Sequence, residues 1–198
     1  MSTSPMSELF TLPAIDTLPE DIRARLDDTQ SKSGFLPNIF VALAKRPDEF
    51  RAFFNYHDVL MDQQNSSLTK AEKELIVVAT SALNDCHYCV IAHGAILRIR
   101  AKNPLIADQV AINFRKAELT SRERDLLDFA VQIATEPGRV GDEAIRLMQS
   151  RGFSEDDIWD VMAVTAFFAM SNRLANTAGV KPNPEFYTLG RQAKESRG

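Results

Sequence analysis

Both cysteines of the chain and two of its three histidines lie in one short stretch, NDCHYCVIAHGA, at residues 84–95. If this stretch is helical, Cys86, Cys89 and His93 are spaced i, i+3 and i+7, so they share one face, and Cys89 and His93 are one turn apart. The thiolate is the reactive form of cysteine, and both a helix N-terminus and a neighbouring imidazole favour it. The spacing therefore predicts a thiol and a base held side by side.

The carboxylate of Glu74 is expected to complete this group. Glu74 lies about ten residues before Asn84 and Asp85, which interrupt the helical pattern, and His93 lies about eight residues after them. At a rise of about 1.5 Å per residue, an antiparallel helical hairpin would bring Glu74 and His93 nearly level. A carboxylate there would hold the imidazole tautomer and stabilise its charged form, which is the general arrangement of nucleophile, base and orienting group.

We favour redox catalysis for the Cys86–Cys89 pair over two alternatives, a structural zinc site and a pair of inert thiols. The pair would close too short a loop to act as a structural staple, and a reducing compartment favours catalytic or metal-binding thiols. A closed zinc site needs four ligands, so His57 or His87 would have to be recruited by the fold. We interpret His87 as a solvated residue and His57 as a hydrogen-bonded histidine on a helix face.

Length and composition limit the classes of protein to which the chain can belong. With 198 residues, 44% of them hydrophobic, it is long enough to form one domain with a buried core. Its formal net charge of −4 leaves no broad basic surface, so nucleic acid is not expected as a partner. The N-terminal residues lack the pattern of a signal peptide, and the longest apolar run, VMAVTAFFAM, is too short to span a bilayer. We therefore expect a cytoplasmic protein without a membrane partner.

The pattern of the chain predicts helices almost throughout, and strand signals are absent, so we expect an all-α fold. Prolines open three early helices: PEDIRARLDDTQ, PNIFVALAKRP and PDEFRAFFNYHDVLMDQQ. Thr69 and Glu72 predict a capping box for the next helix, which continues through the apolar segment LIVVATSAL. Asp85 is predicted to be the N-cap of a helix from Cys86 to about Ala101.

Three further helices are expected in the second half of the chain. Two short ones span about Pro104 to Phe114 and Thr120 to Ala134. A long helix begins at Ser154, with acidic residues in its first turn, and Gly179 is its expected C-terminal cap. We interpret the AFF group of this helix and the upstream Trp159 as core residues.

Two segments of the chain resemble each other. LTKAEKELI at Leu68 and LTSRERDLL at Leu119 share a Thr-x-x-Glu capping box. They are either two similarly capped helices or an internal duplication of a helical-hairpin unit. A gap-free duplication puts Pro137, Val140 and Ala144 in the positions of the two cysteines and the histidine, so any thiol chemistry belongs to the first copy alone.

The run ELIVVATSALNDCHYCVIAHGAILR resembles the core motif of the alkyl hydroperoxidase D-like (AhpD-like) proteins in the carboxymuconolactone decarboxylase superfamily. That motif is a glutamate, a Cys-x-x-Cys twelve residues later and a histidine four residues beyond the second cysteine, which here are Glu74, Cys86, Cys89 and His93. Three later segments, LTSRERDLLDFAVQIATEP, GFSEDDIWDVMAVTAFFAMSNRLA and NPEFY, resemble the peroxidase-related branch of the family. The likeness covers roughly residues 34–190.

The resemblance implies an AhpD-like helical fold, a homo-oligomer (dimer, trimer or hexamer) and neither a bound metal nor a flavin. In the family's peroxidases the second cysteine attacks peroxide, the first resolves the sulfenic acid as a disulfide, and a lipoyl-type or other dithiol donor reduces it. Cys89 would then be peroxidatic, Cys86 resolving, His93 the base and Glu74 the orienting group. Thioredoxin-like reasoning would instead make Cys86 the attacker, so the order of the two thiols stays open. Some members carry histidine where this chain has Tyr88, a supporting residue that would donate a hydrogen bond into the site.

These expectations divide the chain into an N-terminal arm and helix at 1–33, an AhpD-like helical domain at 34–190 with its redox motif at 74–93, and a polar tail at 191–198. We expect a thiol peroxidase that reduces hydrogen or organic peroxides through a CxxC dithiol/disulfide cycle. Two alternatives stay open. One is a lactone enzyme like the carboxymuconolactone decarboxylases, which would use acid–base residues and need no cysteine pair. The other is a non-enzymatic redox sensor or oligomeric scaffold.

Overall fold

The computed structural model describes residues 4–62, 64 and 66–191, and the regular secondary structure of these residues is entirely helical, which confirms the predicted all-α fold. Most of the predicted polar tail, from residue 192 onward, lies outside the described residues. The α-helices found in the described ranges are α1 Glu20–Ser33, α2 Asn38–Leu43, α3 Pro47–Met61, α4 Lys70–Leu83, α5 His87–Ala101, α6 Ile106–Asn113, α7 Ser121–Thr135, α8 Asp142–Ser150 and α9 Glu155–Thr177. None of them is both long and apolar enough to cross a membrane.

Helix α4 lies at the centre of the fold because it is apolar on nearly every side. The residues from Glu72 to Ser81 are all buried, and α4 packs against α5, α6, α7 and α9. The four aliphatic side chains at positions 75–78 are at most 1% exposed. Burying one such side chain contributes roughly 1.5–3 kcal/mol to folding. Burial of these four side chains therefore holds the surrounding helices against α4.

Two charged side chains at the start of α4 are buried and paired. Lys73 Nζ lies 3.1 Å from Asp160 Oδ2 of α9 and donates a 2.7 Å hydrogen bond to the carbonyl of Leu60. Glu72 accepts a 2.8 Å hydrogen bond from Arg122 Nε of α7. Removing one partner of a buried pair costs roughly 3–5 kcal/mol, so these contacts fix α4 against α3, α7 and α9.

A second layer, formed by α1 to α3, covers the side of the molecule that carries the cysteines. Ile22 and Leu26 of α1 pack with Phe50 and Phe54 of α3, and all four side chains are buried. A 3₁₀ turn at Pro184–Tyr187 also packs against α5, and its Phe186 ring lies 4.9 Å from the ring of Phe35, which precedes α2. Helix α5 is therefore enclosed by elements from both ends of the chain.

The turn between α4 and α5 corrects the predicted start of α5. Asp85, expected to be the N-cap, has a φ of 50° and lies in the left-handed region, and the N-cap is Cys86. The Cys86 N–H donates to the Ser81 carbonyl and the Asp85 N–H to the Ala82 carbonyl, a Schellman pattern that ends a helix. Asp85 therefore terminates α4, because aspartate tolerates positive φ better than most residues.

The helix-capping predictions are confirmed elsewhere. Thr69 with Glu72, and Thr120 with Glu123, form the two predicted capping boxes at the starts of α4 and α7. Gly179, with a φ of 63°, follows the C-terminus of α9 as expected. The two capping boxes fit an internal duplication and a coincidence equally well, so the duplication stays a prediction.

Two features of the second half differ from expectation. The sequence did not predict α8, which is short and is preceded by a glycine-containing turn. Trp159 was expected in the core but is 67% exposed, because Ile158 and Val161 occupy the buried face of α9 at this point. Phe167 and Phe168 are buried, as expected.

Candidate active site

The predicted contact between Glu74 and His93 is present. His93 Nδ1 lies 2.8 Å from Glu74 Oε2, across the hairpin that α4 and α5 form. Glu74 is 2% exposed, and its other carboxylate oxygen lies 3.8 Å from Arg100 Nη1. Because a carboxylate accepts hydrogen bonds, it holds the proton on Nδ1 of a neutral imidazole and leaves Nε2 free to accept a proton.

The two cysteines lie at the start of α5, and both are free thiols. Cys86 is the N-cap, Cys89 is in the first turn, and both side chains are buried. Both belong to a buried cluster with Ala175 and Phe186, but Cys89 lines an adjacent cavity of which Cys86 is not a lining residue. Access to the cavity therefore distinguishes the two sulfurs more clearly than the spacing of the cysteines along the helix did.

The pKa values of the two thiols move in opposite directions. A hydrogen bond from Cys89 lowers the pKa of Cys86, and backbone N–H groups at the start of α5 and the side chain of Asn172 lower it further. The same hydrogen bond to Cys86, together with burial, raises the pKa of Cys89 well above its usual range. A thiolate is thus favoured on Cys86, and Cys89 holds the proton that the pair shares.

An apolar cavity of about 450 Å³ opens beside Cys89 and His93. Its volume is within the range of pockets that hold small organic molecules. Another depression, of about 570 Å³ between α1 and α3, has charged side chains at half of its lining positions and does not reach the thiols. Six phenylalanine side chains contribute to the walls of the first cavity: Phe35, Phe40, Phe53, Phe54, Phe168 and Phe186.

His57 of α3 lies in the wall of the same cavity, which the sequence analysis missed. Its Nδ1 is 3.2 Å from Asp58 Oδ1, and Asp58 in turn accepts two hydrogen bonds from Arg25, at 2.8 and 2.9 Å. The rings of His57 and His93 both pack against Phe168, with centroid distances of 6.3 and 4.7 Å. A second imidazole is therefore available to the cavity from a different helix.

Of the other two residues considered in the sequence analysis, Tyr88 lies at the cavity and His87 lies outside it. Tyr88 is buried and lines the cavity, and burial raises the pKa of its phenol. His87 is exposed, as predicted, and its Nε2 lies 2.8 Å from the Tyr187 hydroxyl. Within the described ranges, no three His, Cys, Asp or Glu side chains are grouped so that they could hold a metal ion.

Comparisons with known proteins agree with this geometry. The model of the carboxymuconolactone decarboxylase family matches residues 47–104, which span α3 to α5. An uncharacterized peroxidase-related protein from Ralstonia eutropha JMP134, described as an alkylhydroperoxidase AhpD core, is 52% identical, with a TM-score of 0.91 over 93% of this chain and 97% of that chain. This chain belongs to the AhpD-like proteins of the carboxymuconolactone decarboxylase superfamily.

A second AhpD-like relative has the same fold. The uncharacterized peroxidase-related protein from Silicibacter sp. TM1040 is 34% identical, with a TM-score of 0.89 over 96% of this chain and 97% of that chain. The debrominase Bmp8 is 21% identical, with a TM-score of 0.74 over 93% of this chain and 97% of that chain, and it shares the fold alone. No functionally curated protein matches the chain. The fold alone therefore does not specify the reaction.

Proposed function

We propose that this AhpD-like protein is a thiol peroxidase that reduces organic hydroperoxides, and also hydrogen peroxide, through a Cys86–Cys89 dithiol/disulfide cycle. One observation carries the proposal: Cys89 and His93 open into one apolar cavity, and Glu74 is hydrogen-bonded to His93 Nδ1. A nucleophile, a base and an orienting carboxylate are thus grouped beside a space for substrate.

The first half-reaction uses Cys89 because it is the thiol with access to the cavity. His93 Nε2 takes the Cys89 proton as the sulfur attacks the distal oxygen of the hydroperoxide. The O–O bond breaks, the S–O bond forms, and the protonated imidazole returns its proton to the departing alkoxide. The products are a sulfenic acid on Cys89 and an alcohol, and Glu74 stabilises the imidazolium that exists between the two proton transfers.

The second half-reaction uses Cys86, whose lowered pKa suits a resolving thiolate. Its sulfur attacks the sulfenic sulfur of Cys89, the S–O bond breaks, and the hydroxide leaves as water after it takes a proton. The disulfide is then reduced by a dithiol donor, which is oxidised to its own disulfide and restores both thiols. A lipoyl-type donor fits this step because one molecule supplies both electrons and both protons.

The cavity favours an organic hydroperoxide over hydrogen peroxide. Its volume of about 450 Å³ is many times the roughly 30 Å³ that one water molecule occupies in the liquid. Six phenylalanine side chains offer an apolar group a favourable environment, which hydrogen peroxide cannot use. We therefore expect a lower KM for a bulky apolar hydroperoxide than for hydrogen peroxide.

Steady-state turnover with reduced lipoamide as donor, and with cumene hydroperoxide or hydrogen peroxide as oxidant, tests the proposal. Cys89→Ser should abolish the reaction. Cys86→Ser should consume one equivalent of hydroperoxide and stop at a sulfenic acid that dimedone traps. Oxidation of both thiols without turnover, over a panel of dithiol donors, would instead identify a redox sensor. Lactone conversion that survives Cys89→Ser would identify an acid–base lactone enzyme.

A further inference from the structure

Three basic side chains from α1 and α3 line the cavity beside Cys89: Arg25, Lys32 and His57. Among the described residues, no aspartate or glutamate lines this cavity. Arg25 and Lys32 are seven residues apart and therefore lie on one face of α1. Because a cleft lined by one sign of charge attracts the opposite sign, these walls favour an anionic ligand.

Asp58, which does not line the cavity, connects Arg25 to His57. It accepts hydrogen bonds of 2.8 and 2.9 Å from the two Nη atoms of Arg25, and its Oδ1 lies 3.2 Å from His57 Nδ1. A guanidinium has five N–H donors, so these two bonds leave three. One of them, at Nε of Arg25, is buried and has no hydrogen-bond partner among the described residues. Arg25 therefore keeps donors for a second carboxylate.

Lys32 adds a positive charge that its own partner holds only weakly. Its Nζ lies 2.7 Å from Asp28 Oδ2, and the two side chains are 75% and 56% exposed. Ion pairs this exposed contribute little to stability, because water screens them and both side chains lose freedom. Lys32 can therefore turn from Asp28 to an anion in the cavity at small cost.

Aromatic rings connect this basic group to the thiol site. The guanidinium of Arg25 lies 4.9 Å from the centre of the Phe54 ring, which also lines the cavity. His57 and His93 contact the same Phe168 ring from different helices. A ligand that uses the whole cavity therefore needs an anionic group for α1 and α3 and an apolar body for the phenylalanines.

We propose that Arg25, Lys32 and His57 form a subsite for a carboxylate, and that the cavity takes an apolar molecule that carries this group. In the proposed thiol cycle this molecule is the hydroperoxide, whose O–O group lies at Cys89 while its carboxylate lies at the basic group. That second step rests on the proposed function, whereas carboxylate binding does not. A dithiol donor in its acid form carries the same chemical group, so oxidation and reduction are tested separately.

Calorimetric titration of the reduced protein with octanoate and with octanamide tests the subsite. Octanoate should bind about 10-fold more tightly or better, because charge-assisted hydrogen bonds are roughly twice as strong as neutral ones. Lys32→Glu should weaken octanoate binding about 10-fold and leave octanamide unchanged, because it places a like charge at the subsite. Lys116→Glu, at an exposed lysine outside the cavity, makes the same charge change and should alter neither. Equal affinities for the two probes, or equal effects of the two variants, would overturn the proposal.

A measurement on the wild-type protein locates the carboxylate without any variant. The ring ¹⁵N and ¹H signals of His57 should shift when octanoate is added, and should shift much less with octanamide. His87 is the internal control, because it is exposed and does not line the cavity. His57 signals that do not respond to saturating octanoate would place the carboxylate elsewhere and refute the subsite.

Two single-turnover measurements decide between substrate and donor. At limiting concentration, linoleic acid hydroperoxide should oxidise the reduced protein about 10-fold faster than its methyl ester, and Lys32→Glu should remove the difference. Dihydrolipoic acid and dihydrolipoamide should reduce the oxidised protein at similar rates. The reverse pattern would assign the carboxylate to the donor and overturn the hydroperoxide step. Octanoate binding without any peroxide reduction would refute the proposed function and leave the subsite in place.

Discussion

Replacing Glu74 by glutamine tests the link between the α4–α5 hairpin and the chemistry at Cys89. Glutamine keeps the size of the side chain but removes the charge that faces His93 Nδ1 at 2.8 Å. A hydrogen bond to a charged group is worth roughly 1.5–3 kcal/mol. The imidazolium that forms during attack by Cys89 would lose about that stabilisation, so single-turnover peroxide reduction should slow by about 10- to 100-fold.

Glu72→Gln is the matched control for this prediction. Glu72 lies on the same helix and is also buried, but its carboxylate bonds to Arg122 and Thr69 rather than to His93. Both variants should lose stability, and only Glu74→Gln should lose peroxide reduction beyond that common effect. Combining Glu74→Gln with His93→Ala should cost little more than the worse single change, because residues that act as a unit are not additive.

Single-turnover kinetics with cumene hydroperoxide, followed by the loss of thiolate absorbance, is the measurement. Equal rates for Glu74→Gln and Glu72→Gln would refute the link, and so would fully additive losses in the double variant. In either case the helix N-terminus alone would activate the thiols. Thermal melting of each variant separates the loss of fold from the loss of chemistry.

Three further predictions follow from the site. Mild peroxide should convert Cys86 and Cys89 to an intramolecular disulfide, seen by mass spectrometry as a loss of two hydrogens; separate sulfenic or sulfinic acids alone would contradict this. Titration of the reduced protein should release one thiol proton below the usual cysteine pKa and retain the second above it, because the two pKa values move apart; two thiolates appearing together at an ordinary pH would count against the shared proton. Ile96→Phe, which narrows the cavity, should raise the KM for cumene hydroperoxide about 10-fold and spare hydrogen peroxide; equal effects on both substrates would place the organic group elsewhere.

The sequence predicted the parts of the site that depend on short separations along the chain. The capping box of Thr69 and Glu72 involves residues three apart, and Glu74 meets His93 because one turn folds α5 back along α4. The predicted N-cap role of Asp85 was wrong, because aspartate is suited both to an N-cap and to a helix end with positive φ. The hydrogen bond from the Cys86 N–H to the Ser81 carbonyl decides between these two roles, and the residue types alone do not predict it.

The parts that the sequence did not predict depend on contacts between distant segments. His57 enters the cavity from α3, and the buried Asn172 of α9 hydrogen-bonds to Ser81 and Asn84, more than eighty residues before it in the chain. In the stretches FFNYHDVL and AFFAMSNRL both residues have other polar residues beside them, so residue type alone did not single them out. Their partners follow from how whole helices pack, which periodicity along one helix does not determine.

A peroxidatic thiol needs both a low pKa and access to the substrate, and in this site the two requirements are met by different sulfurs. The pKa of Cys86 is lowered but Cys86 does not line the cavity, whereas Cys89 lines the cavity and its pKa is raised. Access must decide which sulfur attacks, because no lowering of pKa helps a thiol that the substrate cannot reach. Since Cys89 then has to lose its proton at the moment of attack, a base on its own helix face becomes necessary, and His93 with Glu74 behind it meets that need. In the proposed cycle the Cys86 thiolate acts one step later, when it attacks the sulfenic acid, so in this mechanism thioredoxin-like reasoning identifies the better thiolate but not the first nucleophile.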